Sequence, residues 1–402
     1  MLLLHTSDWH LGHTWKGQTR RDEFQNFLVW LIETIKSRKV DVLLVSGDIF
    51  DTSTPSAETQ SDYFNFLKEL SATGCLSAIV AGNHDSPYLL DAPSRLLSLF
   101  NIYVIGAPDI GRELVEVYGK PDASGFRELL MLIGAVPFLR DGDMRRFEIG
   151  ESVESREQKI INGVKKHYAE IAQQAEHLRG DKPIPFILSG HLFVAGAKTS
   201  EGVREIHVGS LGQVGLDLFP DGVDYFAFGH LHIPQRVGKS EKCRYSGSPI
   251  PMSFDEAGQV KSVVLVEFNG RNAEIEILPT PKFVNVTRIE GDITEIETAI
   301  RELPKNIKSF VEVSYNGSDV LPDLFNKVDE IVSEQDNKDL INIVRVRNNN
   351  FSQIQLQPEQ DITLEQIDPI DLFRNILKEN NFNEIEINKL LTIYGEIEQE
   401  VR

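Results

Sequence analysis

The chain has 402 residues, more than the roughly 250 to 300 that one hydrophobic core usually supports, so two or more domains are expected. Hydrophobic residues make up 41% of the sequence, which excludes a chain that is disordered throughout. A formal net charge of −20 argues against nucleic-acid binding through a general excess of lysine and arginine, so any such binding requires metal ions or local basic patches.

No apolar run approaches the ~20 residues that a membrane helix needs, and the start, MLLLHTSDWH, is too short and too polar for a signal peptide. The two cysteines, Cys75 and Cys243, lie far apart and show no metal-binding spacing. Such usage suits a reducing compartment. We therefore expect a cytoplasmic protein.

Five apolar runs are typical of buried strands, and each leads into a polar residue. The runs are LLLHTSD (2–8), VDVLLVSGD (40–48), LSAIVAGN (76–83), IPFILSGH (184–191) and DYFAFGH (224–230). Between the first three, RRDEFQNFLVWLIETIKSRK and SAETQSDYFNFLKELSATG place apolar residues at helical spacing. This alternation predicts a layered α/β domain.

The rest of the chain changes in composition. After two β-like runs, VKSVVLVEF and AEIEILP, the pattern predicts a compact β-α-β-α-β unit. The stretch NNNFSQIQLQPEQD has few residues that could form a core. The sequence after it predicts two short amphipathic helices with acidic faces. The predicted divisions are a first domain at 1–278, a capping domain at 279–350, a linker at 351–362 and a helical tail at 363–402.

The residues at the five strand ends are ligand types for a divalent metal. They are Asp8, His10, Asp48, Asn83, His84, Asp85, His191, His230 and His232. Carboxylate, imidazole and amide groups favour Mn²⁺, Fe or Zn²⁺, and the lack of a nearby cysteine disfavours structural zinc. Because ligands of open α/β sheets lie at the carboxyl ends of strands, we expect these side chains to converge.

Each motif alone has a simpler interpretation. Asp8-x-His10 is commonly a turn cap beside a surface histidine, and Gly-Asn-His-Asp is most simply a turn. Packing does not readily explain ligand-type residues at five successive strand ends. Together the motifs therefore favour a metal site.

The order Asp-x-His, Gly-Asp-x-x-Asp, Gly-Asn-His-Asp, Gly-His and Gly-His-x-His resembles the signature of the calcineurin-like metallophosphoesterases. The resemblance implies a β-sandwich flanked by helices and a pair of adjacent metal ions. By matching position, Asp8, His10 and His232 would hold one ion, Asn83, His191 and His230 the other, and Asp48 would bridge both. His84 would face the scissile phosphate, with Asp85 orienting its ring.

Longer stretches resemble the bacterial nuclease subunits of the double-strand-break repair exonuclease family. These are LLHTSDWHLGHTW, LVSGDIFDTSTPS, GNHDSP, REIHVGSLGQV, DYFAFGHLHIPQ, YSGSPIPMSFDE and, in the tail, DPIDLF. The resemblance implies two Mn²⁺ per chain, with Mg²⁺ or another divalent metal as an alternative. It also implies exonuclease action on double-stranded DNA ends and endonuclease action on single strands and hairpins, in recombination, replication and repair.

The same resemblance implies partners. The nuclease domain would form a homodimer, and the tail would bind an SMC-like ATPase subunit, SbcC in bacteria, in a nucleoid-associated heterotetramer. The capping domain would position DNA. One position departs from the pattern, since archaeal and eukaryotic relatives carry histidine where this chain has Asp51. We interpret Asp51 as a turn residue or a second-layer neighbour of the ligands.

Basic residues form two local groups. They are Lys16, Arg20 and Arg21, and Arg140, Arg145, Arg146, Lys165 and Lys166. Each group is either an ordinary solvated face or a DNA contact. Of the other residues, His5, Trp9 and Trp15 are expected to pack in the core, whereas His13 is a candidate to approach DNA.

Two other functions stay open. The chain could be a stand-alone metallophosphatase or cyclic phosphodiesterase whose tail packs on its own domain. It could also be an inactive scaffold that recruits an ATPase. The intact ligand set argues against the scaffold, and the cap and tail argue against the stand-alone enzyme.

Overall fold

The computed structural model describes residues 1–15, 17–144, 152–194, 197–198, 215–318, 321 and 323–348, and the isolated helical residues 374 and 389–391. Residues 1–348 form one compact unit and residues 349–402 a second. The predicted linker and nearly all of the predicted tail therefore lie outside the described residues. The boundary after residue 278 falls within the first unit and stays a prediction.

The described residues form these strands: β1 Leu2–Thr6, β2 Thr14–Trp15, β3 Gln18–Thr19, β4 Val42–Ser46, β5 Leu76–Val80, β6 Ile102–Ile105, β7 Leu114–Tyr118, β8 Leu129–Ala135, β9 Phe186–His191, β10 Tyr225–Gly229, β11 Gln235–Arg236, β12 Cys243–Tyr245, β13 Ser262–Asn269, β14 Asn272–Pro279, β15 Asn285–Gly291, β16 Ser309–Tyr315 and β17 Ile341–Asn348. The helices are α1 Arg21–Arg38, α2 Ala57–Ser71, α3 Pro87–Asp91, α4 Ser94–Leu97, α5 Ile110–Glu113, α6 Asp141–Met144, α7 Val153–Arg179, α8 Ile293–Arg301 and α9 Leu324–Ser333.

Two six-stranded sheets form a β-sandwich. The first has the order β14-β13-β1-β4-β5-β6, in which β1, β4, β5 and β6 are parallel. The second has the order β11-β12-β10-β9-β8-β7, in which β12, β10, β9 and β8 are parallel. The five strands predicted from the sequence are β1, β4 and β5 of the first sheet and β9 and β10 of the second. Their carboxyl ends therefore come from both sheets.

Helices cover the outer faces of the sandwich. Leu44 and Val80 of the first sheet meet Ile133 and Ile187 of the second in a shared apolar layer. Helices α1 and α2 pack on the other face of the first sheet, and α7 packs on the second. Strands such as β4 and β9 are buried at every position because both of their faces are covered. The sandwich flanked by helices is confirmed.

Residues 285–348 form the predicted β-α-β-α-β arrangement. Its parallel sheet has the order β15-β16-β17, with α8 and α9 on one face. A capping box at Asp292 starts α8, because its side chain accepts from the N–H groups of Thr294 and Glu295. The other face contacts the rest of the unit through Phe310, whose ring lies edge-on to Trp15 at 5.0 Å.

Several smaller predictions concern the core. His5 and Trp9 are fully buried and Trp15 nearly so, which confirms that they pack inside. Cys75 and Cys243 are buried free thiols. Among the helices of the described ranges, none has the length and apolar character of a membrane span.

Candidate metal centre

The predicted site residues lie together at one end of the sandwich. Asp8 and His10 follow β1, Asp48 follows β4, and Asn83 and His84 follow β5. From the second sheet, His191 ends β9, and His230 and His232 follow β10. Three groups of possible ligand atoms, each within 4.8 Å of one another, are Asp8, His10 and His232; His10, Asp48 and His84; and Asp8, Asp48 and His191.

The backbone is strained where the ligand-type side chains turn inward. Asp8, His10, Asp48 and His230 have φ values of 53°, 48°, 52° and 101°, in the left-handed region that non-glycine residues rarely adopt. Such conformations cost free energy and persist only where surrounding structure enforces them, typically at functional sites. The strain is therefore an independent sign of a functional centre.

Glycines let the strand ends approach closely. A Cβ atom on Gly82 would lie 2.1 Å from Asp48 Oδ1, and one on Gly229 would lie 1.9 Å from the carbonyl oxygen of Ser46. Gly47, at φ +92°, would place a Cβ 2.2 Å from His191 Nδ1. Any side chain at these positions would separate the converging groups.

The first half of the centre joins the two sheets through imidazoles. His10 Nε2 lies 3.1 Å from His232 Nε2, and the rings meet edge to face. Asp8 Oδ1 accepts from the backbone N–H of His230 at 2.9 Å, which fixes this carboxylate beside the pair. These groups form one pocket of nitrogen and oxygen atoms.

The second half centres on an amide oxygen. Asn83 Oδ1 lies 3.0 Å from His191 Nε2 and 3.1 Å from His230 Nδ1. Asp48 Oδ2 is 3.2 Å from His191 Nε2 and 3.6 Å from His10 Nε2. Asp48 therefore lies between the two halves.

The hydrogen-bond partner of His191 determines which of its ring nitrogens faces the centre as a lone-pair donor. His191 Nδ1 lies 2.9 Å from the carbonyl oxygen of Ser46, which can only accept, so this nitrogen carries the hydrogen. In neutral His191, Nε2 then directs a lone pair at the oxygens of Asp48 and Asn83. Acceptors at this distance repel unless a proton or a metal ion lies between them. The donor set thus fits divalent metal ions without a thiolate ligand.

The pKa shifts of the buried groups differ in direction across the centre. Burial opposes the charged form of His191, yet Asp48 raises the pKa of this imidazole to about 9. Burial likewise opposes ionisation of Asp48, but His191 and His10 hold the pKa of its carboxyl well below the usual range. Burial and the neighbouring His191 lower the pKa of His230 to about 3, which keeps that ring neutral. A neutral imidazole is the ligand form of histidine.

Two family models match parts of this chain, and several known proteins are similar to most of it. Residues 1–234 match the family model described as calcineurin-like phosphoesterase, and residues 282–381 match one described as type 5 capsule protein repressor C-terminal domain. The SbcD subunit of the nuclease SbcCD from Escherichia coli K12 is 35% identical over 82% of this chain and 81% of its own. The chain belongs to the SbcD family of calcineurin-like phosphoesterases.

Two further relatives are named as the same nuclease subunit. The SbcD subunit of the SbcCD nuclease from Rhodobacter capsulatus is 33% identical over 73% of both chains, and that from Bacillus subtilis is 35% identical over 66% of both. Membership in this family makes the chain a hydrolytic phosphodiesterase that depends on divalent metal. The family predicted from the sequence motifs is confirmed.

Asp85 has a different role from the one predicted. Its carboxylate accepts from the backbone N–H groups of Ile49, Phe50 and Gly82 at 2.8 to 3.1 Å. The prediction that Asp85 orients the His84 ring is wrong, because His84 Nδ1 lies 2.7 Å from the carbonyl oxygen of Asp51 instead. In this SbcD-family chain Asp85 joins the loops after β4 and β5. Burial and the nearby Asp48 raise the pKa of its carboxyl to about 6.

Asp51 contacts the centre with both its backbone and its side chain. Its Oδ1 lies 3.1 Å from His13 Nδ1 and 3.5 Å from His10 Nδ1. The interpretation as a neighbour of the ligands therefore fits the geometry. His13 pairs with this carboxylate, which ties its ring to the SbcD centre.

Sequence reasoning missed Glu256 and Lys261. Glu256 is fully buried, and its Oε1 lies 3.3 Å from His232 Nδ1. Its only sequence signal was its place in YSGSPIPMSFDE, where nothing in the spacing connects it to a histidine 24 positions earlier.

Two members of the first basic group, Arg20 and Arg21, contact neighbouring side chains of the same chain. Arg20 is buried, stacks over Trp15 at 4.2 Å and pairs with Glu23 at 2.6 Å. Arg21 pairs with Asp62 and Glu58. Core packing and neighbouring carboxylates thus use both guanidinium groups. Of the remaining candidates, Lys16, Arg145 and Arg146 lie outside the described residues.

Proposed function

We propose that the chain is the nuclease subunit of an SbcCD-type complex. It would degrade double-stranded DNA from ends as an exonuclease and cut single strands and hairpins as an endonuclease, in recombination, replication and repair. The observation that carries this proposal is the convergence of lone-pair donors from five strand ends of two sheets. The relatives, which are named as SbcD subunits of the SbcCD nuclease, support DNA as the substrate.

The proposed ligand assignment follows the two halves of the centre. Asp8, His10 and His232 would hold one ion, Asn83, His191 and His230 the other, and Asp48 would contact both. Mn²⁺ suits this mixture of nitrogen and oxygen ligands. Two bound divalent ions would supply charge to the phosphoryl oxygens and a lowered pKa to the attacking water.

His84 is the proposed catalytic residue. Its backbone N–H donates to Asp48 Oδ1 at 2.9 Å, which anchors the residue beside the centre. Its Nδ1 donates to the carbonyl oxygen of Asp51, so Nε2 is the ring nitrogen left for substrate. In the imidazolium form, Nε2 can give a proton to the leaving oxygen or stabilise the charge that develops on the phosphate.

The predicted capping domain offers local positive charge for DNA. Three arginines surround the buried carboxylate of Glu312: Arg288 at 2.7 Å, Arg347 at 3.1 Å and Arg345 at 3.5 Å. Arg345 and Arg347 share one oxygen of this carboxylate, and their side chains are 45% and 41% exposed, so an excess of positive charge reaches the surface here. This excess supports a role for residues 279–350 in positioning the phosphate backbone, despite the acidic character of the whole chain.

An exposed apolar face supports a homodimer. From α3 to the turn after α4, Tyr88 is 88% exposed, Leu96 60%, Leu99 78% and Phe100 52%. Contiguous exposed apolar side chains commonly mark a protein interface, and a two-fold dimer uses the same face of both copies. We propose that the nuclease domain pairs through this face.

The tail is the proposed contact for an SMC-like ATPase of the SbcC type. Its sequence predicts two short amphipathic helices with acidic outer faces, which suit a protein groove better than a phosphate backbone. The second family model, which ends at residue 381, extends into this tail. With the homodimer, this contact would give a heterotetramer.

A substrate comparison tests the proposal. The purified chain, with and without a co-expressed ATPase, is incubated with Mn²⁺ and end-labelled duplex DNA, hairpin DNA or a small phosphomonoester. We expect cleavage of both DNA substrates and its loss when EDTA removes the metal. Turnover of the monoester with no effect on either DNA would contradict the proposal and favour a stand-alone metallophosphatase.

A further inference from the structure

A buried ion pair contacts one histidine of the candidate metal centre, His232. The loop between β12 and β13 carries Glu256, which is fully buried, with Oε1 3.3 Å from His232 Nδ1. Its Oε2 lies 2.6 Å from Lys261 Nζ and accepts from the backbone N–H of Met252 at 2.9 Å. Both oxygens of this carboxylate therefore have defined partners.

Lys261 also contacts His232, through its backbone. It is 5% exposed, and its Nζ donates to the carbonyl oxygen of His232 at 2.9 Å and to Ser248 Oγ at 3.1 Å. One buried cation thus binds both the backbone of His232 and the carboxylate that faces its ring. Burying two charges is costly, so a pair retained next to a ligand-type histidine suggests a role beyond stability.

The loop around Glu256 is fixed by aromatic packing. Phe254 stacks on Trp15 with ring centroids 4.9 Å apart, and Trp15 Nε1 donates to the carbonyl oxygen of Met252 at 3.1 Å. The carboxylate therefore has little freedom to leave the ring of His232.

We propose that Glu256, held by Lys261, is a positioning residue for His232. The carboxylate can only accept in its ionised form, so it places the hydrogen of His232 on Nδ1 and directs the Nε2 lone pair towards His10. A carboxylate behind a ligating imidazole also makes that imidazole a better metal ligand. The inference rests on the proposed function, because it requires that Asp8, His10 and His232 hold an ion.

The test is a calorimetric titration of the full-length chain with Mn²⁺ alone. We expect two ions per unmodified chain and a 10- to 100-fold weaker affinity for one of them in Glu256→Ala, on the order seen for such partners elsewhere. Glu256→Gln keeps an acceptor for Nδ1–H and should lose less. Unchanged affinity for both ions in a folded Glu256→Ala chain would overturn the inference.

A matched control separates positioning from general destabilisation. Glu113 is also fully buried and lies 2.7 Å from His167, in a pair outside the metal centre. Glu113→Gln should keep the affinity of both ions. Equal loss of Mn²⁺ affinity in Glu113→Gln and Glu256→Gln would contradict a specific role for Glu256.

Two further readouts test the inference, and the first of them needs no variant. In the unmodified metal-free chain, nitrogen NMR of selectively labelled histidine should report His232 with the hydrogen on Nδ1; a hydrogen on Nε2 alone would overturn the inference. In cleavage assays, high Mn²⁺ should restore kcat of Glu256→Gln, since the residue acts through the ion.

The failure of this inference can be told apart from the failure of the proposed function. An unmodified chain that binds no divalent ion would reject the proposed function, whereas two ions bound equally well without Glu256 would reject only this inference.

Discussion

The Nδ1 atom of His84 lies 2.7 Å from the carbonyl oxygen of Asp51, so the proposed proton transfer would use Nε2. We expect His84→Ala to bind two Mn²⁺ with unchanged affinity while kcat falls by about 10²- to 10⁴-fold, because only proton transfer or charge stabilisation is lost. Single-turnover DNA cleavage and Mn²⁺ calorimetry measure the two effects separately. Loss of a bound ion in His84→Ala would show that the residue is a ligand.

His230 and His232 lie two residues apart but face different halves of the centre. His230→Ala should weaken the ion beside Asn83, and His232→Ala the ion beside His10, because each removes one ligand. Anomalous diffraction from crystals of each variant grown with Mn²⁺ shows which of the two ions is lost. If both variants lost the same ion, the assignment of the two halves would be wrong.

The sequence predicted which residues would meet, and it predicted less well what each one does. Asp8, His10 and the His-x-His pair were recognisable because strand ends place ligand-type residues at one edge. The role of Asp85 was wrong because adjacency in GNHD says nothing about where a carboxylate points. Glu256 was missed because only the folded loop brings it to His232.

At the scale of strands and loops, close approach depends on residues without side chains. Gly82→Ala would force a Cβ atom against Asp48 Oδ1, so we expect weaker binding of both ions and a loss of about 1 to 3 kcal/mol in the free energy of unfolding. Gly142→Ala is the control, because no atom lies within 4 Å of the new Cβ. Urea unfolding and Mn²⁺ calorimetry check both variants. Wild-type metal affinity in Gly82→Ala would contradict the tight approach of β4 and β5.

Strand β1 also carries a buried neutral histidine. Burial lowers the pKa of His5 from 6.5 to about 3, and its Nδ1 lies 3.0 Å from the Tyr225 hydroxyl. The unfolded chain therefore binds a proton that the folded chain excludes, so stability is lost as the pH falls from 6.5 towards 3, at up to about 1.4 kcal/mol per pH unit.

His5→Gln should reduce this pH dependence, and His177→Gln, on an exposed residue of α7, should not. Urea unfolding at pH 7 and pH 5 in EDTA measures the difference without interference from metal binding. Identical slopes for the His5→Gln and unmodified chains would contradict a neutral buried His5.

The sequence predicted individual strands more successfully than their arrangement. The apolar runs of β1, β4, β5, β9 and β10 are continuous because both sheet faces are covered. Strand β7 was not predicted, since it is an edge strand with only alternate residues buried. The five strand ends divide between two sheets because segments distant in the sequence pack together. No local sequence pattern indicates this division.

For the whole molecule, the exposed apolar face predicts self-association. Leu99→Glu should convert a dimer to a monomer, because it places a charge at a highly exposed residue of the proposed interface. Light scattering after size exclusion measures the mass, and Phe325→Glu, at an exposed position on α9, is the control. An unmodified chain that is already monomeric at micromolar concentration would contradict this use of the face.

We propose that the two sheets bring together ligands for two divalent ions. Anomalous diffraction from crystals grown with Mn²⁺ tests it most directly, because it locates each ion against the protein. We predict two manganese peaks per chain, one beside Asp8, His10 and His232 and one beside Asn83, His191 and His230, with Asp48 between them. A single peak, or peaks away from these residues, would contradict the account.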